Sequence, residues 1–224
     1  MYHIWQENQQ QYVAVSLVGD KFFKGVIFDS GRDIIVLFNG EQFIYIPFIH
    51  IESIVADTPD ANFIQPSDLP SISSDQLQKG LALDDVLKEA KGIYQELGII
   101  NKKPLHGTIL EVLDDYIVFN SPVYKTIYIA KKHLKWIIPY TPSERPYGLS
   151  DSEFNWQQGE KEFKKGFTQQ LATLINKLVV LNLGDKIYHT GKIKNISNAM
   201  IELQTVRAKS IYVNIAHIQT IHEV

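Results

Sequence analysis

The chain has 224 residues, of which 45% are hydrophobic and 11% aromatic, so it can bury several small cores. It contains no cysteine, which excludes disulfides, thiol chemistry and cysteine-based metal sites. Its formal net charge of −3 weakens electrostatic capture of nucleic acid.

Five short strands are predicted in the first 57 residues. Alternation of apolar and small side chains predicts the first strand, and Gly25 marks a predicted bulge or sharp bend in the second. Asn39-Gly40 predicts a hairpin between the third and fourth strands. The predicted strands are Val13 to Leu17, Phe22 to Phe28, Ile34 to Phe38, Phe43 to Pro47 and His50 to Ile54.

The end of this unit is a phrase that occurs three times. It runs Ile-Tyr-Ile or Ile-Tyr-Val, then His five residues after the Tyr and Ile four residues after the His. The copies lie 83 and 84 residues apart, and each has a glycine about 20 residues upstream of its Tyr, which indicates an internal repeat. The equivalent residues are Tyr45, Tyr128 and Tyr212; His50, His133 and His217; and Gly25, Gly107 and Gly191.

A short helix is predicted before each set of strands. Leu83 to Lys91 is followed by Gly92, Glu160 to Ile175 has apolar residues at helical spacing, and Tyr2 to Asn8 is the matching candidate at the start. The predicted fold is therefore mainly β: three tandem Sm-like small β-barrels, each preceded by a short helix and closed to protect its edges. The predicted repeats are 1–57, 78–140 and 156–224, joined by linkers 58–77 and 141–155.

This order of elements resembles the repeated N-terminal region of the Bacillus spore coat protein B family. The resemblance rests on the helix, the early glycine turn, the glycine in strand two and the closing Tyr-to-His phrase, and it covers residues 11 to 224. It implies a structural or assembly component of the spore coat that binds other coat proteins. The chain start lacks the pattern of a signal peptide and no segment is apolar enough to span a membrane, so we expect synthesis in the cytoplasm and no membrane partner. The sequence does not predict an oligomeric state.

The repeated histidines have two interpretations. They are either ligands or bases displayed at three equivalent sites, or residues that satisfy a buried backbone group in a tight link before the last strand. No Asp or Glu lies at a fixed offset from all three, which favours the structural interpretation. The repeated tyrosines are predicted to be strand residues, and one that faces solvent is a candidate crosslinking site in a coat.

No catalytic motif is present, so we expect neither an enzyme nor a bound cofactor or metal. The alternative function is binding of single-stranded RNA. Lys131-Lys132-His133 distantly resembles the Tyr-Lys-His phrase of the bacterial Sm-like RNA chaperone, although the first and third copies lack the basic pair. The further candidates for this interface are Lys102, Lys103, Lys135 and the stacking residue Trp136.

Overall fold

The structure is a computed structural model that describes residues 11–59, 61, 63–65, 72, 81–100, 103–141, 144, 146–149, 162–186, 189–207 and 209–224. The predicted turn at Tyr2 to Asn8 and most of both predicted linkers lie outside these residues. The described residues fall into two compact units. The first unit draws on the ranges Met1–His106 and Leu134–Glu144, and the second draws on Gly107–His133 and Arg145–Val224.

The protein is mainly β, as predicted, with fifteen strands and two α-helices in its described part. The strands of the first repeat are β1 (Tyr12–Leu17), β2 (Lys21–Ser30), β3 (Ile34–Phe38), β4 (Phe43–Pro47) and β5 (Ile51–Ala56). Those of the second are β6 (Tyr94–Ile100), β7 (Lys103–Val112), β8 (Tyr116–Ser121), β9 (Lys125–Ala130) and β10 (Trp136–Pro139). Those of the third are β11 (Leu178–Leu181), β12 (Thr190–Ser197), β13 (Met200–Gln204), β14 (Ser210–Asn214) and β15 (Thr220–Glu223).

The strands of the first repeat pair in the order β4-β3-β2-β1-β5, and those of the third pair in the equivalent order β14-β13-β12-β11-β15. Every registered pairing is antiparallel. Among the described strands, the fourth and fifth strands of one repeat do not pair with each other, so the sheet is open and lacks the predicted closure within a repeat. Two of the fourth strands are covered in another way, because β4 pairs with β10 and β9 pairs with β15, the fifth strand of the following repeat in each case.

Each unit has its own apolar core. In the first unit, β1 and β3 supply residues such as Val15 and Leu37, and β10 adds Trp136 and Ile138. In the second unit, strands of the second and third repeats share one core with Phe167 and Leu171 of the second helix. The second repeat therefore divides its strands between the two units, with β6 and β10 in the first and β8 and β9 in the second.

The two described helices are shorter than their sequence patterns. Helix α1 spans Leu83–Glu89 and is followed by Gly92, which has a φ of 75°. Helix α2 spans Phe167–Ala172, whereas the pattern predicted a start at Glu160. The preceding Gly166 has extended backbone angles, so the helix begins after it, and Phe163 packs on the core from outside the helix. Neither described helix is long and apolar enough to cross a membrane.

Candidate functional site: the contacts between successive repeats

The repeated Tyr-to-His phrase forms the pairing between one repeat and the next. In the first unit, Ile137 on β10 lies opposite Tyr45 on β4. In the second unit, Ile221 on β15 lies opposite Tyr128 on β9. Tyr45 and Tyr128 are equivalent residues of the phrase, and so are Ile137 and Ile221. The Tyr of one copy and the final Ile of the next copy are thus cross-strand neighbours, which explains why both are repeated.

The three equivalent tyrosines differ greatly in exposure. Tyr45 is 0% exposed and Tyr128 is 7% exposed, whereas Tyr212 is 65% exposed. Burial raises the pKa of the Tyr45 and Tyr128 phenols, so both stay neutral hydrogen-bonding groups at physiological pH. The Tyr45 hydroxyl donates to the carbonyl oxygen of Ile72, which is also fully buried. Of the three, Tyr212 is the one that a crosslinking reaction can reach.

Each equivalent histidine ends a 3₁₀ turn between the fourth and fifth strands of its repeat: Phe48–His50, Lys131–His133 and Ile215–His217. The His133 ring Nε2 lies 3.0 Å from the carbonyl oxygen of Ala216, which is in the corresponding turn of the third repeat. The His50 carbonyl accepts a hydrogen bond from the Val18 amide at 3.0 Å. His217 is exposed. Through this contact the His133 imidazole of the second repeat reaches the backbone of the third.

A pair of equivalent aspartates makes a second contact between repeats that the sequence patterns did not predict. Asp33, in the turn before β3, accepts a hydrogen bond from the Leu83 amide at the start of α1 at 2.8 Å. Asp115, in the turn before β8, accepts one from the Phe167 amide at the start of α2 at 2.7 Å. Each carboxylate therefore satisfies a free amide at the N-terminus of the helix in the following repeat.

We expect Asp115→Ala to lower the free energy of unfolding by about 1 kcal/mol, the typical cost of losing a helix cap. Asp114→Ala is the matched control, because Asp114 is also exposed and, within the described residues, hydrogen-bonds only through its backbone. Urea denaturation followed by circular dichroism measures both. Equal losses for the two variants would show that the Asp115 carboxylate does not cap α2.

The glycines of strand two lie where the backbone of strand three approaches closely. A Cβ on Gly25 would overlap the carbonyl oxygen of Phe38, and one on Gly107 would overlap that of Asn120. A Cβ on Gly191 would come within 2.7 Å of the carbonyl oxygen of Gln204. The pairing register shifts a few residues later in each strand, at Phe28, Leu110 and Lys194. The glycine and the β-bulge are therefore two separate features of the repeat.

The structure places the basic candidates of the RNA hypothesis in different settings. In the second unit, Lys131 is 9% exposed and its Nζ donates to the Asp114 carbonyl at 3.1 Å, whereas Lys132 is exposed. In the first unit, the Lys135 Nζ donates to the Val18 carbonyl at 2.9 Å, and burial lowers the pKa of Lys135. Lys102 lies outside the described residues. Lys103 begins β7, and its side chain is likewise outside the description.

Trp136 is a core residue of the first unit. Its side chain is 2% exposed, its ring packs edge-to-face on Phe23 at 5.4 Å, and its Nε1 donates to Glu96 Oε1 at 2.9 Å. A base can stack only on an accessible ring face, so Trp136 does not offer the platform that RNA binding requires. Among the described residues, no group of three or more His, Asp or Glu side chains is placed to hold a metal ion.

One comparison with known proteins matches part of the chain, and another matches nearly all of it. The model of the YwrJ third domain matches residues 166–221, a range that lies inside the third predicted repeat. A relative in Bacillus subtilis (strain 168), "Uncharacterized protein YwrJ", is 32% identical over 215 residues, which covers 94% of this chain and 94% of that protein. The chain therefore belongs to the YwrJ family.

Proposed function

We propose that the protein is a non-enzymatic structural or assembly component that binds other proteins through three Sm-like repeats. The single observation that carries this is that the repeated residues serve contacts between repeats. The Tyr and Ile of the phrase meet across paired strands, and the His133 imidazole meets a backbone carbonyl. Residues repeated for catalysis would instead converge with acids, bases or ligands around a common cavity.

The Sm-like assignment of each repeat is supported by connectivity. The first and third repeats have the strand order 4-3-2-1-5, a bulge in the second strand and a 3₁₀ turn before the fifth strand. A helix precedes the strands of the second and third repeats. These features suit a module that packs on its neighbours. In the part of the chain that the structure describes, the fourth and fifth strands of a repeat do not pair with each other, so each can pair with a strand of another repeat.

We place this assembly role in the spore coat, on the resemblance to the spore coat protein B family. The partners are then other coat proteins, which a mother cell deposits from its own cytoplasm. If the coat crosslinks the protein through the tyrosine of the repeat, Tyr212 is the position that reacts, because Tyr45 and Tyr128 are buried.

Fluorescence microscopy of the tagged chain in its native host tests this location. During sporulation we expect the signal at the forespore surface. During vegetative growth we expect no localised signal. Uniform cytoplasmic signal throughout sporulation would contradict the coat assignment.

A titration with single-stranded RNA tests the alternative at low and at physiological salt. We expect no saturable binding, because Trp136 is buried and Lys131 is held by a backbone carbonyl. Lys132→Ala is the informative variant, since Lys132 is exposed and we expect its replacement to leave the fold intact. Saturable binding at physiological salt that is lost in Lys132→Ala would favour the RNA-binding function over the scaffold.

A further inference from the structure

Among the described strands, the pairing scheme that joins the repeats leaves two strand edges without a partner. The fourth strands β4 and β9 pair with β10 and β15, but the fourth strand of the last repeat, β14, has β13 as its one neighbour among the described strands. The fifth strand of the first repeat, β5, likewise has β1 as its one described neighbour. The pairings between repeats join a fourth strand to a fifth strand. Of the strands that the structure describes, one fourth strand, β14, and one fifth strand, β5, remain for a pairing of the same kind.

These two edges are exposed where their equivalents are buried. Tyr212 on β14 is 65% exposed, against 0% for Tyr45 and 7% for Tyr128. Val55 on β5 is 60% exposed, against 7% for its equivalent Ile138 on β10. An exposed edge strand with apolar side chains is a template for another chain, and natural proteins normally protect such an edge with charges or proline. Neither is present within Ser210–Asn214, and β5 carries a single charge, Glu52.

We propose that β14 of one copy of this protein pairs antiparallel with β5 of a second copy, in the register of the internal pairings. In that register Tyr212 lies opposite Ile54, as Tyr45 lies opposite Ile137 and Tyr128 opposite Ile221. Val213 then lies opposite Ser53, as Ile129 lies opposite Thr220. The second copy completes the repeat scheme at both ends of the chain.

The residues brought together in this register are compatible. Ile211 would lie opposite Val55 and Asn214 opposite Glu52, so apolar groups meet on one pair and an amide meets a carboxylate on the other, with no like charges opposed. The exposed His217 ring would lie near the backbone of the 73% exposed Ile49, the counterpart of Ala216 in the contact made by His133. The strand pairing and the histidine contact seen between successive repeats are thus both available between two copies of the chain. The aspartate cap is not, because the third repeat has Ala199 at that position.

The contact joins two different edges, so it is heterologous. Each copy carries one donor edge and one acceptor edge, and the assembly either closes into a ring or continues as an open chain. Self-association of this kind requires neither the spore coat nor RNA.

Sedimentation equilibrium of the intact chain gives the first test. We expect masses at integer multiples of 25.6 kDa that rise with concentration to a dimer or a larger assembly. In the internal pairing the Ala130 amide donates to the Gln219 carbonyl, so by the alternation along a strand the amide of Tyr212 points to the free edge. Tyr212→Pro removes that donor at a position where an edge strand tolerates proline, and we expect it to restore the monomer mass. A monomeric wild-type chain at its highest soluble concentration would overturn the proposal.

Engineered cysteines give a second test that does not depend on the folding of the proline variant. The chain has no cysteine, so the double variant Ser53→Cys, Val213→Cys has no competing thiol. The two positions lie directly opposite each other in the proposed register, and we expect oxidation to link copies covalently on a non-reducing gel. The control Ser53→Cys, Tyr212→Cys places the side chains on opposite faces and should crosslink at least tenfold less. Equal crosslinking of both pairs, or of neither, would refute the register.

Discussion

Replacing Trp136 with alanine is expected to lower the free energy of unfolding by about 3–5 kcal/mol, the usual cost of removing a large aromatic ring from a packed core. Trp136 is 2% exposed and packs among Phe23 and Ile138, while its indole N–H is satisfied by Glu96. Its ring also lies against Gly98 on the paired strand, where a Cβ would overlap the indole. Guanidinium denaturation measured by circular dichroism gives the loss.

The matched control is Phe22→Ala, since Phe22 is 62% exposed and should change the stability by less than about 1 kcal/mol. The same pair of variants separates the two functional hypotheses. A stacking tryptophan would show a small stability loss and a large loss of RNA affinity. That combination would contradict the core assignment of Trp136.

Replacing Gly107 with alanine is expected to cost about 2–3 kcal/mol, because a single Cβ is enough to overlap the carbonyl of Asn120 and the ring of Phe119. The paired strands β7 and β8 must then move apart at Gly107. Thermal unfolding of the variant should show a clearly lower midpoint.

Gly166→Ala is the control for this substitution. Its Cβ would meet its nearest neighbour at an ordinary 3.8 Å, and as the residue before a helix it should cost less than about 1 kcal/mol. If Gly107→Ala melted at the wild-type temperature, the glycine would be incidental to the repeat.

Much of the strand pattern followed from local residues. The third and fourth strands of the first repeat lie where the apolar runs Ile34 to Phe38 and Phe43 to Pro47 predicted them. The hairpin between them differs: Asn39 Oδ1 accepts hydrogen bonds from the amides of Glu41 and Gln42, which gives a four-residue connection where Asn39-Gly40 suggested a two-residue one. An Asn side chain can replace a backbone acceptor in a turn. The Asn-Gly dipeptide alone does not show whether the Asn forms a two-residue turn or accepts these side-chain hydrogen bonds in a longer connection.

The contacts between repeats were less accessible to sequence reasoning. The phrase showed that Tyr45, His50 and Ile54 recur, but its spacing does not show that the Tyr pairs with an Ile from the next copy. Asp33 and Asp115 looked like ordinary turn residues, because their helix partners lie about 50 residues away. A signal did exist: the third copy has Ala199 at this position, and no α-helix follows it among the described residues.

The pairing of one repeat's fourth strand with the next repeat's fifth strand also constrains how the chain acquires its structure during synthesis. Tyr45 emerges from the ribosome roughly 90 residues before its partner Ile137, and Tyr128 precedes Ile221 by a similar interval, so both pairings are long-range contacts that form slowly. Until then, β4 and β9 present open edges that favour aggregation. A nascent chain that ended at residue 57 would contain β4 without its partner β10, and one that ended at residue 140 would contain β9 without its partner β15. Truncation at the apparent repeat boundaries is therefore the wrong way to obtain stable fragments of this protein.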